Sequence, residues 1–104
     1  TAPEQATGNV EQIVRQAASK YGIDPNYAVQ IAMCESTMNP NAVNYNYAEI
    51  PGHHPSGVYQ HLSNYWPARA AKYGYAGASV FNAEANANVT MAMWRDGQKG
   101  LWEC

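Results

Sequence analysis

Apolar and polar positions alternate with the periodicity of an α-helix in four stretches of this chain. The stretches are, in order, "NVEQIVRQAASKYG", "IDPNYAVQIAMCES", "NYWPARAAKYG" and "NAEANANVTMAMWRDG". Asn9 is placed to cap the first stretch, Asp24 the second and Asn82 the fourth, while a glycine ends the third. The pattern therefore predicts four helices, of which the second, with Pro25 at its first position, should be the buried central helix.

The segments between the predicted helices carry turn residues instead of a helical period. Residues 37–56, "TMNPNAVNYNYAEIPGHHPS", are rich in proline and asparagine and predict loops and turns, and "GVYQHL" after them predicts a short strand or turn. An irregular segment of this length in a compact domain usually serves a function. Residues 1–8 should form a flexible lead-in, and residues 9–104 a single, mainly α domain with a small β or irregular element.

Charge and composition exclude several classes of function. The chain has 104 residues and a formal net charge of −2. It has no cluster of Lys and Arg, so it lacks the electrostatic attraction on which nucleic-acid binding depends. No run approaches the roughly 18 apolar residues of a membrane span, and no signal peptide is present. We therefore expect a monomer without a membrane span, in a mature or excised form.

The chain contains two cysteines, Cys34 and Cys104. They are compatible with free thiols, with metal ligands or with a disulfide, and a distant pair in a small domain rich in aromatic residues favours the disulfide. Such a bond would close a loop of about 70 residues and stabilise the fold by on the order of 4 kcal/mol. It also indicates an oxidising compartment outside the cytoplasm.

Glu35 stands at the end of the second predicted helix, where it continues the apolar stripe of Ala28, Ile31 and Ala32. Burial on that stripe should raise the pKa of its carboxyl group, and the negative end of the helix dipole should raise it further. A carboxylic acid that stays protonated near neutral pH is what a general acid requires.

The helical period is equally compatible with a structural role for Glu35 instead of a catalytic one. The side chain could pair with Arg69 or Arg95 in a partly buried ion pair. The helix alone leaves both interpretations open, so the choice depends on the residues that follow.

Three motifs in order resemble the lysozyme-like domain of lytic transglycosylases, which is related to goose-type lysozyme. "CES" followed by "MNPNAVN" is similar to the E-S and N-P-x-A segments of that family, "SGVYQ" to its S-G-L-x-Q segment, and "FNAEANANV" to its D-P-x-x-N-I segment. The resemblance runs from Val10 to Trp102. The cysteine before "ES" and the terminal "WEC" are also similar to small secreted bacterial members. The family's A-Y-N motif is absent, and "MAMWRDG" stands in that part of the chain.

The resemblance implies roles for five residues. Glu35 matches the catalytic acid, and Ser36 matches the serine that supports the active-site loop and borders the substrate. Tyr59 and Gln60 match groups that line the sugar cleft, and Ser56 matches a contact to a sugar N-acetyl group. The implied fold is a lysozyme-like helical domain with one disulfide, and the implied partner is the glycan strand of peptidoglycan.

The resemblance also implies a reaction that needs only one carboxyl group. The acid protonates the β-1,4 bond between N-acetylmuramic acid and N-acetylglucosamine, and the muramic 6-hydroxyl then closes a 1,6-anhydro end without water. A hydrolytic lysozyme would need a second carboxylate, and Glu49 is the candidate. A non-catalytic glycan-binding domain on the same fold is a third hypothesis. We expect a protein of bacterial or phage origin, secreted or associated with the cell wall.

Two further chemistries are weaker hypotheses. His53, His54 and His61 with Glu49 have the ligand types of a zinc site, but their spacing fits no established metal pattern, so we expect neither a metal nor a cofactor. Cys34 with a histidine could form a nucleophile pair, but a disulfide explains that cysteine better.

Overall fold

In the computed structural model, residues 7–104 are described, and they form a mainly helical fold with one small sheet. The elements in chain order are α1 (Thr7–Lys20), α2 (Pro25–Ser36), β1 (Pro55–Ser56), β2 (His61–Leu62), α3 (Trp66–Lys72), α4 (Ala83–Arg95) and a final 3-10 helix (Lys99–Leu101). The predicted class, mainly α with a small β element, is confirmed.

The central helix is α4 and not, as the sequence predicted, α2. Nearly every residue of α4 is buried, and it packs against α1, which in turn packs against α2. The apolar run of α2 is misleading because Tyr27 and Met33 within it are exposed. Conversely, Asn86 and Thr90 make α4 look partly polar, yet both are fully buried with their hydrogen bonds satisfied inside the protein.

The first helix starts earlier than predicted. It begins at Thr7, so Asn9 lies inside its first turn and is not the cap. Of the lead-in predicted over residues 1–8, residues 1–6 lie outside the described residues, and the last two belong to α1.

The start of α2 forms as its capping residues predict. The side chain of Asp24 accepts a hydrogen bond of 3.0 Å from the backbone N–H of Asn26, which satisfies one of the free donors of the first turn.

Two consecutive residues in the left-handed region end α2. Thr37 has φ 53° and Met38 has φ 65°, a conformation that costs a residue with a Cβ free energy. Met38 is almost fully buried, which compensates this cost. The reversal leaves Glu35 and Ser36 on the last turn of the helix.

The small sheet is a hairpin, in which Pro55 pairs with Leu62 and Ser56 with His61. Its turn carries Gly57, whose φ is +82°. A Cβ at that position would lie 2.4 Å from the side-chain nitrogen of Asn86, so the turn can approach α4 only because residue 57 is glycine.

The predicted disulfide between Cys34 and Cys104 is present, with the two Cα atoms 5.9 Å apart. It joins the last turn of α2 to the end of the chain. A hydrogen bond of 2.7 Å from Trp102 Nε1 to the carbonyl oxygen of Tyr59 holds the same C-terminal segment against the hairpin turn.

Candidate active site

A cleft of about 650 Å³ opens where α2 ends. Its walls are the last turn of α2, residues 44–55, the hairpin, the start of α3 and residues 101–103. Among the residues that the structure describes, three carboxylates line this cleft, those of Glu35, Glu49 and Glu103, together with the guanidinium group of Arg69.

Glu35 is partly buried in the cleft wall, and burial is the main cause that raises the pKa of its carboxyl group. The neighbouring charge of Glu103 raises that pKa further, while Lys99 lowers it. Within residues 7–104 the carboxyl group makes no hydrogen bond or ion pair. The direction predicted from the helical stripe, an acid that holds its proton more firmly than usual, is thereby confirmed.

The ion pair considered for Glu35 does not form. Arg95 instead pairs with Asp96, with 3.1 Å between Nε and Oδ1. Arg69 places Nη1 3.0 Å from Nδ1 of His61. Glu35 is therefore a carboxyl group without a fixed cationic partner, facing open space.

Ser36 lies behind the cleft and not in its lining. Its hydroxyl group is buried and donates a hydrogen bond of 2.8 Å to the carbonyl oxygen of Val58. This bond ties the last turn of α2 to the hairpin turn and so fixes the backbone beside Glu35. The placement fits support of the site and leaves the hydroxyl group no direct contact with a ligand in the cleft.

Tyr59 and Ser56 are buried, and neither is among the residues that line the cleft. The resemblance implied that Tyr59 lines the cleft and that Ser56 contacts a sugar N-acetyl group. The hydroxyl group of Tyr59 donates to the carbonyl oxygen of Ala28 at 2.7 Å, and burial raises its pKa. Ser56 donates to the carbonyl oxygen of His54 at 2.8 Å. The tight turn directs these two side chains into the protein, so their hydrogen-bonding capacity is used internally.

Gln60 does line the cleft. It has φ 58°, and its side-chain nitrogen donates to the carbonyl oxygens of Gly57 at 2.9 Å and Ala42 at 3.2 Å. Both donors are therefore engaged, while Oε1 has no acceptor bond from the described residues. This oxygen is available to a sugar hydroxyl or amide N–H group.

Glu49 lies in the same cleft, where two tyrosine hydroxyl groups hold it. Tyr65 donates to Oε1 at 2.7 Å and Tyr47 donates to Oε2 at 3.2 Å. Because Glu49 favours the protonated hydroxyl groups, it raises the pKa of both tyrosines. Tyr65 is 42% and Tyr47 49% exposed, and both residues line the cleft.

Arg69 also lines the cleft, although the sequence suggested it only as an ion-pair partner of Glu35. The side chain follows Tyr65 by four residues at the start of α3, and the guanidinium carbon lies 5.1 Å from the centre of the tyrosine ring. The i, i+4 spacing of an aromatic and a basic residue was visible in "YWPAR" and predicts one shared helical face. Its contact with His61 was not visible there.

The three histidines do not converge on a metal site. His53 Nδ1 contacts Ser63 Oγ at 2.9 Å, and His54 Nδ1 contacts the carbonyl oxygen of Tyr47 at 2.9 Å. In the described part of the chain, no group of three or more potential ligands is placed to hold a metal ion. The disulfide leaves Cys34 without a thiol, so the nucleophile-pair hypothesis is wrong.

None of the helices in the described range combines the length and apolarity needed to cross a membrane. A family model for the transglycosylase SLT domain matches residues 12–101, which include Glu35, Glu49, Gln60 and Arg69. Comparison with curated proteins and with solved structures gave no match.

Proposed function

Because the chain belongs to the transglycosylase SLT domain family of peptidoglycan-cleaving enzymes, we propose that it breaks the β-1,4 bond between N-acetylmuramic acid and N-acetylglucosamine with Glu35 as acid and base. The product would carry a 1,6-anhydro end. The observation that carries this proposal is the carboxyl group of Glu35, which lines the cleft, has a raised pKa and has no ion-pair partner within residues 7–104.

The proposed reaction uses one carboxyl group twice. Protonated Glu35 gives its proton to the oxygen of the glycosidic bond, and the bond between that oxygen and the anomeric carbon breaks. The resulting carboxylate accepts the proton of the muramic 6-hydroxyl group as its oxygen bonds to the anomeric carbon. Atoms balance without water, and Glu35 ends the cycle protonated.

The cleft also contains one observation that favours hydrolysis, since Glu49 lines it. A second carboxylate there could activate water, as in inverting glycosidases. However, each oxygen of Glu49 already accepts a hydrogen bond from a tyrosine hydroxyl group. These bonds fix the carboxylate between the two tyrosines, and the reaction that needs Glu35 alone requires nothing of Glu49, so we favour that reaction.

Mass spectrometry of soluble products from purified peptidoglycan, digested in water enriched in heavy oxygen, separates these functions. We expect anhydro ends without heavy oxygen from the wild type and from Glu49→Gln, and no product from Glu35→Gln. Reducing ends that carry heavy oxygen and disappear in Glu49→Gln would establish hydrolysis. A wild type that binds peptidoglycan and releases nothing would leave the glycan-binding hypothesis.

We also propose that the protein acts outside the cytoplasm, in the bacterial cell wall or as a secreted or phage-derived enzyme. The support is chemical: a disulfide persists in oxidising compartments, and peptidoglycan is found there. The expectation of a monomer is tested by sedimentation velocity at working concentration.

A further inference from the structure

Arg69 carries a positive charge into the cleft without a carboxylate to pair with it. In the described part of the chain the ion pairs are Glu11–Arg15 and Arg95–Asp96, and neither involves Arg69. The charge of Glu49 acts on Arg69, but among residues 7–104 the two side chains form no ion pair. The oxygens of Glu49 accept hydrogen bonds from Tyr47 and Tyr65. Burial lowers the pKa of Arg69, and the charge of Glu49 offsets that effect only in part. A ligand anion bonded to the guanidinium group would compensate the remaining cost of burying the charge.

One nitrogen of the guanidinium group is anchored from behind. Nη1 of Arg69 lies 3.0 Å from Nδ1 of His61, and since arginine can only donate, Nδ1 must accept. The imidazole proton is then on Nε2, which lies 2.7 Å from the hydroxyl oxygen of Thr90. That hydroxyl group donates to the carbonyl oxygen of Asn86 at 2.7 Å. Each group in this chain of hydrogen bonds donates to the next, from Arg69 in the cleft to the backbone of α4.

The anchor itself is rigid. His61 is fully buried, and its ring meets those of Trp66 and Trp102 edge-on, with centroids 5.1 Å and 5.4 Å away. The Tyr65 ring supports the guanidinium group on a second side. The guanidinium group is therefore held in place, and most of its N–H donors have no partner among residues 7–104. Donors that are already fixed lose less freedom when they bind an anion, and hydrogen bonds between charged groups are strong.

We propose that Arg69 is a specificity-determining residue that binds a carboxylate of the peptidoglycan substrate through its free N–H donors. This inference rests on the proposed function, because peptidoglycan is the source of the carboxylate. The muramic residue carries a lactyl carboxyl group, which is free in glycan stripped of its peptides. In intact glycan that group is an amide, and the stem peptide supplies the carboxylates instead.

The test is a binding experiment in the Glu35→Gln background, where catalysis is removed, using isothermal titration calorimetry. The ligands are a stripped glycan tetrasaccharide with free lactyl carboxylates, the same tetrasaccharide with those groups amidated, and a tetrasaccharide with intact stem peptides. Each is titrated against the background variant and against the same variant with Arg69→Gln. Lys72→Gln, an exposed change of equal charge on the same helix, is the matched control.

We expect Arg69→Gln to weaken binding of a carboxylate-bearing ligand roughly tenfold to hundredfold and binding of the amidated ligand less than about twofold. If only the stripped ligand binds more weakly to Arg69→Gln, the lactyl carboxylate is the group that Arg69 binds. If only the stem-bearing ligand binds more weakly, Arg69 binds a carboxylate of the peptide. The Lys72→Gln control should leave all three affinities unchanged.

Equal weakening of charged and neutral ligands would overturn the proposal, because it would mean that Arg69 only supports the cleft. Unchanged binding of all three would overturn it as well. If Arg69→Gln does not fold, Arg69→Lys tests the same point, since it retains the charge but loses the planar fork. Failure of the proposed function would appear separately, as absence of anhydro products from the wild type.

Discussion

At the level of single residues, the pKa of the Glu35 carboxyl group is set by burial and by nearby charges, and not by a hydrogen bond or ion pair with a described residue. Burial raises its pKa, Glu103 adds to that effect and Lys99 opposes it. Among residues 7–104 no fixed partner holds the carboxylate, which suits the proposed role of a group that gives up and regains a proton. The neighbouring Ser36 keeps the backbone in place without competing for the ligand.

The raised pKa of Glu35 predicts the direction of the pH dependence. The reaction begins with the protonated form, so activity should be retained at acidic pH and fall as pH rises through the pKa of this group. Initial rates of release from labelled peptidoglycan, measured from about pH 4 to about pH 9, check this. A rate that stays constant above about pH 8 would contradict protonated Glu35 as the acid.

The imidazole of His61 should remain neutral at pH values well below the ordinary pKa of histidine. Complete burial and the charge of Arg69 lower its pKa to about 3. The unfolded chain therefore binds a proton at this residue that the folded chain does not, so the residue lowers stability by about 1.4 kcal/mol per pH unit as pH falls from 6.5 towards 3.

Nuclear magnetic resonance of labelled imidazole checks the state of His61 directly. We expect a neutral ring at about pH 5 with its proton on Nε2, as the bonds to Arg69 and Thr90 require. A ring that protonates near the ordinary pKa of histidine, or one that carries its proton on Nδ1, would disprove this arrangement and remove the anchor of Arg69.

At the level of elements, the side chain of Asn86 ties the hairpin turn to α4 by a hydrogen bond. Asn86 accepts a hydrogen bond of 3.0 Å from the backbone N–H of Tyr59 and donates one of 2.9 Å to the carbonyl oxygen of Val80. Both partners lie near Gly57, where a Cβ would overlap with the amide and with that carbonyl group. The position of Gln60 in the cleft wall therefore depends on a glycine three residues before it.

Gly57→Ala should be far more destabilising than an alanine substitution at another glycine with the same positive φ but with open space around it. Gly77 also has φ +82°, but a Cβ added there would have nothing within 4 Å, so Gly77→Ala serves as the matched control. We expect Gly77→Ala to lower the free energy of unfolding by about 1 kcal/mol. For Gly57→Ala we expect about 3 kcal/mol or more, because the clash is added.

Urea denaturation of the two glycine variants gives both values. Equal losses would mean that only the left-handed backbone matters and that the turn can move away from α4. A larger loss for Gly57→Ala should be accompanied by weaker glycan binding, since the turn carries Gln60.

At the level of the whole molecule, the disulfide joins the end of α2, which carries Glu35, to the C-terminal segment, which carries Glu103. Cys34 precedes Glu35 and Cys104 follows Glu103, so the bond brings the two carboxyl groups to the same cleft. Closing a loop with a sequence separation of 70 residues restricts the unfolded chain and stabilises the fold by on the order of 4 kcal/mol.

Replacing both cysteines by serine should lower the free energy of unfolding by about that amount and the Tm by roughly 15–30 °C. Calorimetry measures the shift, and a reduced wild type should match the double variant. We also expect lower activity below the new Tm, because Glu103 and Lys99 are then less well fixed beside Glu35. A Tm unchanged within about 2 °C would mean that the C-terminal segment holds its place without the bond.

The sequence alone determined the features that depend on neighbours within one or two helical turns. These include the four helices, the cap at Asp24 and the cap at Asn82, whose side chain accepts from the backbone N–H of Ala85 at 2.9 Å. The stripe at positions i, i+3, i+4 and i+7 also indicated a raised pKa for Glu35, but it left an ion pair equally possible. The structure decided between the two, because no such pair forms among residues 7–104. The two cysteines in a small domain rich in aromatic residues favoured a disulfide over free thiols or metal ligands, and the structure confirms the bond.

Only the tertiary structure decided which polar residues face the cleft. Tyr59 donates to a carbonyl group 31 positions earlier in the chain, and His61 contacts a hydroxyl group 29 positions later. Pairs at such distances depend on how the elements pack, and no local period encodes them. The same reason explains why α4 is the central helix and why Arg69, anchored through His61, faces the cleft without a carboxylate partner.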